Sequence, residues 1–132
     1  MQIKIPLLCR PKKNSQQIVY NGKRPFIVQS KQYVLFERNC AYFLKSYARH
    51  ITTPINLKCT FFVPDKRKRD IVNLLNAMQD ILVKYDVIAD DNYNIVASVD
   101  GTRIIYEKGR EETIVEIEEV KNVDSNTSKN AG

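Results

Sequence analysis

The stretch Lys66-Arg67-Lys68-Arg69-Asp70-Ile71-Val72-Asn73-Leu74-Leu75-Asn76-Ala77-Met78-Gln79-Asp80-Ile81-Leu82-Val83-Lys84 sets the architecture. Leu74, Leu75, Met78, Ile81 and Leu82 recur at helical spacing and form one apolar stripe, while Asn73, Asn76, Gln79 and Asp80 fall mainly on other faces. Asp70 supplies an N-cap side chain just before the stripe, and the pattern ends near Lys84. Immediately upstream, residues 55–63 place Leu57, Cys59 and Phe61 on one face and read as a central strand. A buried strand, a basic loop and an amphipathic helix in succession make an α/β fold.

Residues 2–8 alternate polar and apolar before Pro11, giving a first strand that runs into a basic loop, residues 10–13, closed by Asn14-Ser15. Residues 17–20 and 25–28 flank Asn21-Gly22-Lys23-Arg24, a β-hairpin with an Asn-Gly turn and a cationic tip. Ser30 is placed to cap a helix over 31–49, with Tyr33, Val34, Phe36, Ala41, Phe43, Leu44 and Tyr47 apolar and Pro54 limiting its extension. Asp90-Asp91-Asn92 reads as a turn, and residues 94–99, 103–106 and 113–117 as short strands separated by Asp100-Gly101 and Lys108-Gly109. The order is β, hairpin, α, β, α, β, β, β: a single small domain over residues 1–119, with a mixed β-sheet and two main helices. Tyr20, Tyr33, Phe36 and Phe43 are expected in its core. From Lys121 onward only Val123 and Ala131 are apolar, so residues 120–132 are expected to be a disordered C-terminal tail.

A chain of 132 residues suffices for one domain with a real core. Its apolar runs, such as Phe61-Phe62-Val63, fall far short of the roughly 20 residues that cross a bilayer, so no membrane partner is expected. Met1-Gln2-Ile3-Lys4-Ile5-Pro6 lacks a signal-peptide layout, which favours the cytoplasm. Cys9, Cys40 and Cys59 lie far apart with only His50 as an imidazole, which argues against zinc and disulfides and for core thiols. The absence of a Gly-rich phosphate loop argues against a nucleotide cofactor.

Charge is divided along the chain. The formal net charge is +6, but residues 1–69 hold 15 Lys/Arg against Glu37 and Asp65, a formal +13, and residues 70–132 hold a formal −7. That asymmetry favours a polyanion contacted by the first half, with salt-sensitive binding. Where the basic run stops, the carboxylates Asp70, Asp80, Asp90 and Asp91 begin. Lys and Arg hold phosphates, and Asp oxygens hold the divalent ion used in metal-assisted phosphodiester hydrolysis. Asp70 and Asp80 lie about 15 Å apart along their helix and cannot share an ion. The helix from Asp70 to Lys84 is about 21 Å long and seven extended residues return about 24 Å, which allows Asp90 and Asp91 to reach the Asp70 end. A second subunit is the alternative source of closure. Taken singly, Asp70 is a helix cap, Asp90 and Asp91 turn formers, and the basic run a solvated edge.

The segment from Pro64 to Leu75, followed by Asp80-Ile81-Leu82 and Asp90-Asp91, resembles the signature of the RusA family of Holliday junction resolvases. In that family a basic segment leads into an Asp-x-Asp-Asn-Leu helix start, a later Asp-x-Leu follows, and an Asp-Asp pair closes the motif. Pro11-Lys12-Lys13-Asn14-Ser15 and the Ser30 helix resemble the family's N-terminal loop and following serine, so the likeness spans roughly residues 3–117. The resemblance implies a RusA-like homodimer of phage or prophage type in a bacterial host. It would bind four-way DNA junctions and cut two strands of like polarity with Mg²⁺ or Mn²⁺. It implies Asp70 and Asp91 as catalytic metal ligands with Asp90 in support, and Lys12, Lys13, Asn14, Arg67, Lys68, Arg69 and Asn73 in DNA binding. Two positions depart from the pattern: Val72 stands where a second catalytic Asp is usual, and Asn76 where a functional Lys is usual. An ion would then rely on Asp70, Asp90 and Asp91 with waters and phosphate oxygens. The departures leave open a cleavage-impaired junction binder, and the acidic half leaves open a protein-interaction module.

Overall fold

A computed structural model describes residues 1–12 and 16–121. In chain order it contains β1 (Gln2–Ile5), β2 (Gln16–Asn21), β3 (Arg24–Gln29), α1 (Lys31–Leu44), a 3₁₀ turn (Lys45–Tyr47), β4 (Ile55–Val63), α2 (Ile71–Lys84), β5 (Val96–Ser98), β6 (Arg103–Tyr106) and β7 (Glu112–Glu119). The sequence-derived order of elements and the α/β class are both present. Lys13, Asn14 and the expected tail over 122–132 lie outside the described residues. Val120 belongs to the domain, because its N–H donates to the Pro54 carbonyl at 2.9 Å.

Strand β4 is the axis of the main sheet. Ile55, Leu57, Cys59, Phe61 and Val63 are all buried. On one side β7 runs antiparallel to it, with Leu57 opposite Ile117 and Cys59 opposite Val115, and β1 lies antiparallel outside β7. On the other side two short strands share its length, both parallel: β5 at Ile55 and Asn56, and β6 at Thr60–Val63. Thr102 fills the gap between them. The Cys59 N–H donates to Thr102 Oγ1 at 3.1 Å, and that hydroxyl donates to the Leu57 carbonyl at 3.2 Å. Backbone groups of a central strand that would lack a ladder partner are thereby satisfied.

Both helices close over a single core. Leu74, Ala77, Met78, Ile81 and Leu82 of α2 join Tyr33, Phe36, Cys40 and Leu44 of α1 and Ile3 and Ile5 of β1 in one buried cluster. The three cysteines are free and buried, as core thiols should be. Burial pushes Cys40 and Cys59 up to about 12, which keeps them protonated. Among the described residues no helix is long and apolar enough to cross a membrane.

Several boundaries differ from those read in the sequence. Helix α1 stops at Leu44 and tightens into the 3₁₀ turn instead of continuing to 49. The first strand ends at Ile5, β5 shrinks to three residues, and β7 extends to eight because it pairs along nearly the whole of β4, from Glu119 opposite Ile55 to Glu112 opposite Phe62. Across that ladder Lys58 pairs with Glu116 at 3.8 Å. Tyr20 is not a core residue: β2 and β3 form a two-stranded sheet of their own, and Tyr20 is 67% exposed. The hairpin loop is Gly22-Lys23, with positive φ at Gly22 only, the pattern of a type II′ turn.

Candidate active site

The approach to α2 is a loop tied down by its own charges. Asp65 Oδ1 accepts from the Arg67 N–H at 2.9 Å and from Arg69 Nη1 at 2.9 Å. The Arg69 guanidinium, with the Arg67 N–H second, holds the Asp65 carboxyl below the usual carboxylate range. Arg69 also donates to the Asp65 and Arg67 carbonyls, and only 15% of its side chain is exposed. Of the three cations in this loop expected on DNA, Arg69 is therefore committed to shaping the loop. Arg67 and Lys68 face solvent.

Asp70 sits at the N-cap of α2 in extended backbone, exposed, with Oδ1 accepting from the Val72 N–H at 2.9 Å and the Asn73 N–H at 3.4 Å. Val72 lies in the first turn of α2 and is 57% exposed, so a side chain there meets solvent and not the core. Asn76 is also exposed, one turn further on.

Where the second carboxylate group lies is decided by how α2 ends. Asp86 adopts φ +64° after the helix, and Val87 and Ile88 are fully buried. The chain then pairs with Ile51: the Ile51 N–H donates to the Val87 carbonyl at 3.1 Å, and the Ala89 N–H to the Ile51 carbonyl at 2.9 Å. Residues 87–89 are thus spent on a bridge and do not run back along α2. Asp90 Oδ1 accepts from the Asp91 N–H at 2.7 Å and its Oδ2 from Asn92 Nδ2 at 3.1 Å, a self-bonded turn.

Asp91 opens into a surface pocket lined by Lys12, Glu37, Asp80, Val83 and Lys84. Its carboxyl is pushed above the usual range, first by desolvation, then by its hydrogen bond with Asp90 and by the charges of Asp90 and Asp80. Lys12 pairs with Asp80 at 3.6 Å, and Lys84 pairs with Glu37. Within one chain the structure therefore brings Asp91 to Asp80, ten residues along α2 from Asp70, and does not place Asp70 in that pocket. Among the described residues no three His, Cys, Asp or Glu side chains gather closely enough to hold a metal by themselves. Asp80 was weighed from sequence and set aside because it cannot share an ion with Asp70, and Glu37 was not singled out. The signal for Asp80 was its place one turn before Lys84, on the half of α2 nearest to the returning chain.

Carboxylates at the cap of α2 and in the pocket beside Asp80, with a solvent-facing basic loop before the helix, suit a small α/β phosphodiesterase, and the family comparison gives the class as endodeoxyribonuclease. The chain belongs to the RusA family of that class, since the Endodeoxyribonuclease RusA family model matches residues 9–118. A similar protein is the Crossover junction endodeoxyribonuclease RusA of Aquifex aeolicus (strain VF5), 38% identical over 63 residues. That alignment covers 48% of this chain and 48% of the relative, so the chain matches about half the length of that protein.

Proposed function

We propose that the protein binds four-way DNA junctions and cuts them by divalent-cation-assisted phosphodiester hydrolysis, as a homodimer. The observation that carries this is the start of α2: a carboxylate at the helix cap directly behind Arg67 and Lys68, which face solvent, in a chain of this nuclease family. The oxygen donors suit Mg²⁺ or Mn²⁺, hard ions that take one or two carboxylates and complete their shell with waters and phosphate oxygens. Asp91 supports that fit, because it lines a pocket with Asp80 and Glu37, which brings further carboxylate oxygens near it. When bound, the ion activates a water and offsets charge on the leaving oxygen.

The remaining work falls to the chain's own residues. Asp70 and Asp91 would hold the ion, with Asp90 in support, while Arg67, Lys68 and Lys12 would hold phosphates and set the register of the backbone. Asp70 and Asp91 stand at different levels of α2, and a second copy would supply the missing closure. Symmetric cutting of two strands requires a two-fold pair of sites in any case.

A cleavage-impaired junction binder is the second reading. It is favoured by Val72 and Asn76, exposed positions where Val offers no ligand to an ion and the neutral Asn supplies no charge to a phosphate. The experiment that separates the two compares wild type with V72D/N76K on an end-labelled four-way junction and its matching duplex. The first reading expects nicking by wild type. Junction binding without nicking, with activity gained only in V72D/N76K, establishes the second.

A further inference from the structure

We propose that the β2–β3 hairpin is a DNA arm that enters the branch point of the junction, stacks Tyr20 on an unpaired base and holds the flanking phosphates with Lys23 and Arg24. This rests on the junction-binding reading and adds to it a contact separate from the carboxylates. Among the described residues the two strands pair with each other and with no other strand, from Gln16 opposite Gln29 to Asn21 opposite Arg24. Six residues at about 3.4 Å each give a ribbon about 20 Å long, more than the roughly 8.5 Å depth of a major groove, which itself admits a two-stranded ribbon.

The exposed chemistry of the arm points to bases and phosphates. Ile18 and Tyr20 are 66% and 67% exposed and, two residues apart on one strand, share a face. Asn21, Gly22, Lys23 and Arg24 at the tip are all exposed. No acidic residue occurs anywhere from 16 to 29. An aromatic face with an aliphatic wedge beside it, tipped by two cations, matches an unstacked base flanked by phosphates.

In the chain the arm is joined at both ends to residues of the candidate active site. The strands begin four residues after Lys12, which lines the Asp91 pocket, and end at Gln29, just before Ser30, the N-cap of α1, whose Glu37 lines the same pocket. A two-stranded hairpin alone in water is marginally stable, so this arm gains most from a partner that covers it.

The test uses the full chain as wild type, Y20A, Y20F and K23A/R24A, with a four-way junction carrying 2-aminopurine at the branch point and a matching duplex. Affinity, fluorescence and sedimentation velocity are measured together. Y20A should lose about tenfold in junction affinity with duplex affinity unchanged, and Y20F should keep wild-type binding, because stacking needs the ring and not the hydroxyl. K23A/R24A should lower the slope of log affinity against log salt by about 1.8, the share of two phosphate contacts. An unchanged junction-to-duplex ratio and unchanged 2-aminopurine signal in Y20A would overturn the arm. A change of sedimenting species in Y20A would overturn it too, by assigning the ribbon to a second copy of the chain. Failure of wild type to bind the junction at all would instead sink the junction reading on which the arm rests.

Discussion

Asp70 has two jobs in this account, and substitution can separate them. Its Oδ1 accepts from two N–H groups at the start of α2, at 2.9 and 3.4 Å, so Asp70→Ala removes a cap that typically contributes about 1 kcal/mol. In a domain of this size that lowers the melting temperature by roughly 4 °C. Asp70→Asn keeps an oxygen in the same place and forfeits only the charge at the helix start, a few tenths of a kcal/mol. Thermal and urea unfolding followed by circular dichroism should therefore place D70N close to wild type and D70A clearly below it. Nicking of a four-way junction should fall by about a hundredfold or more in both, since neither side chain offers a charged oxygen to the ion. D70N cutting at the wild-type rate would reduce Asp70 to a cap, and D70N as unstable as D70A would refute the capping argument.

Other substitutions test the site and its supports. V72D/N76K should fold with stability within about 0.5 kcal/mol of wild type, because both positions are exposed and an acid suits the first turn of a helix; its nicking rate should exceed that of wild type. Thr102→Val leaves the Cys59 N–H and the Leu57 carbonyl short of a partner and should cost about 1–3 kcal/mol in urea unfolding. Arg67→Ala should lower the salt slope of DNA binding by about 0.9. Arg69→Ala acts on the loop through Asp65. The folded Asp65 carboxyl lies below its unfolded value, so the pair's contribution is present above the ordinary carboxylate range and fades as pH falls through the folded value. R69A should flatten that acid-side change in a pH series of unfolding curves.

Helix α2 was legible because its stripe, Leu74 to Leu82, and its cap, Asp70, agree with each other, so local pattern and burial point the same way. The central strand was legible for the same reason. What sequence could not give was pairing over long separations. That β5 and β6 share one side of β4 depends on Thr102 and the Asp100-Gly101 turn, where Gly101 adopts φ +87° and packs against the Lys58 stem. No local pattern announces that arrangement. Tyr20 was misplaced because alternation in a hairpin looks alike whether a sheet face covers it or not. For the carboxylates, chain length bounded the reach of Asp91 without directing it. Val87 and Ile88 sent the loop to Ile51, and that choice is made by burial in the finished core. The basic run was legible as charge, but its division into a structural Arg69 and solvent-facing Arg67 and Lys68 needed the position of Asp65.

The central claim is that this chain cuts branched DNA with a divalent ion held by Asp70 and Asp91. The most direct measurement is single-turnover nicking of an end-labelled four-way junction by wild-type protein, with Mg²⁺ or Mn²⁺ and again with the ion chelated, beside D70N and D91N. The account predicts paired nicks in strands of like polarity on the junction, none on the matching duplex, none after chelation, and binding without nicks in both variants. An intact junction in the presence of either ion, under conditions where wild type is fully bound, would contradict it.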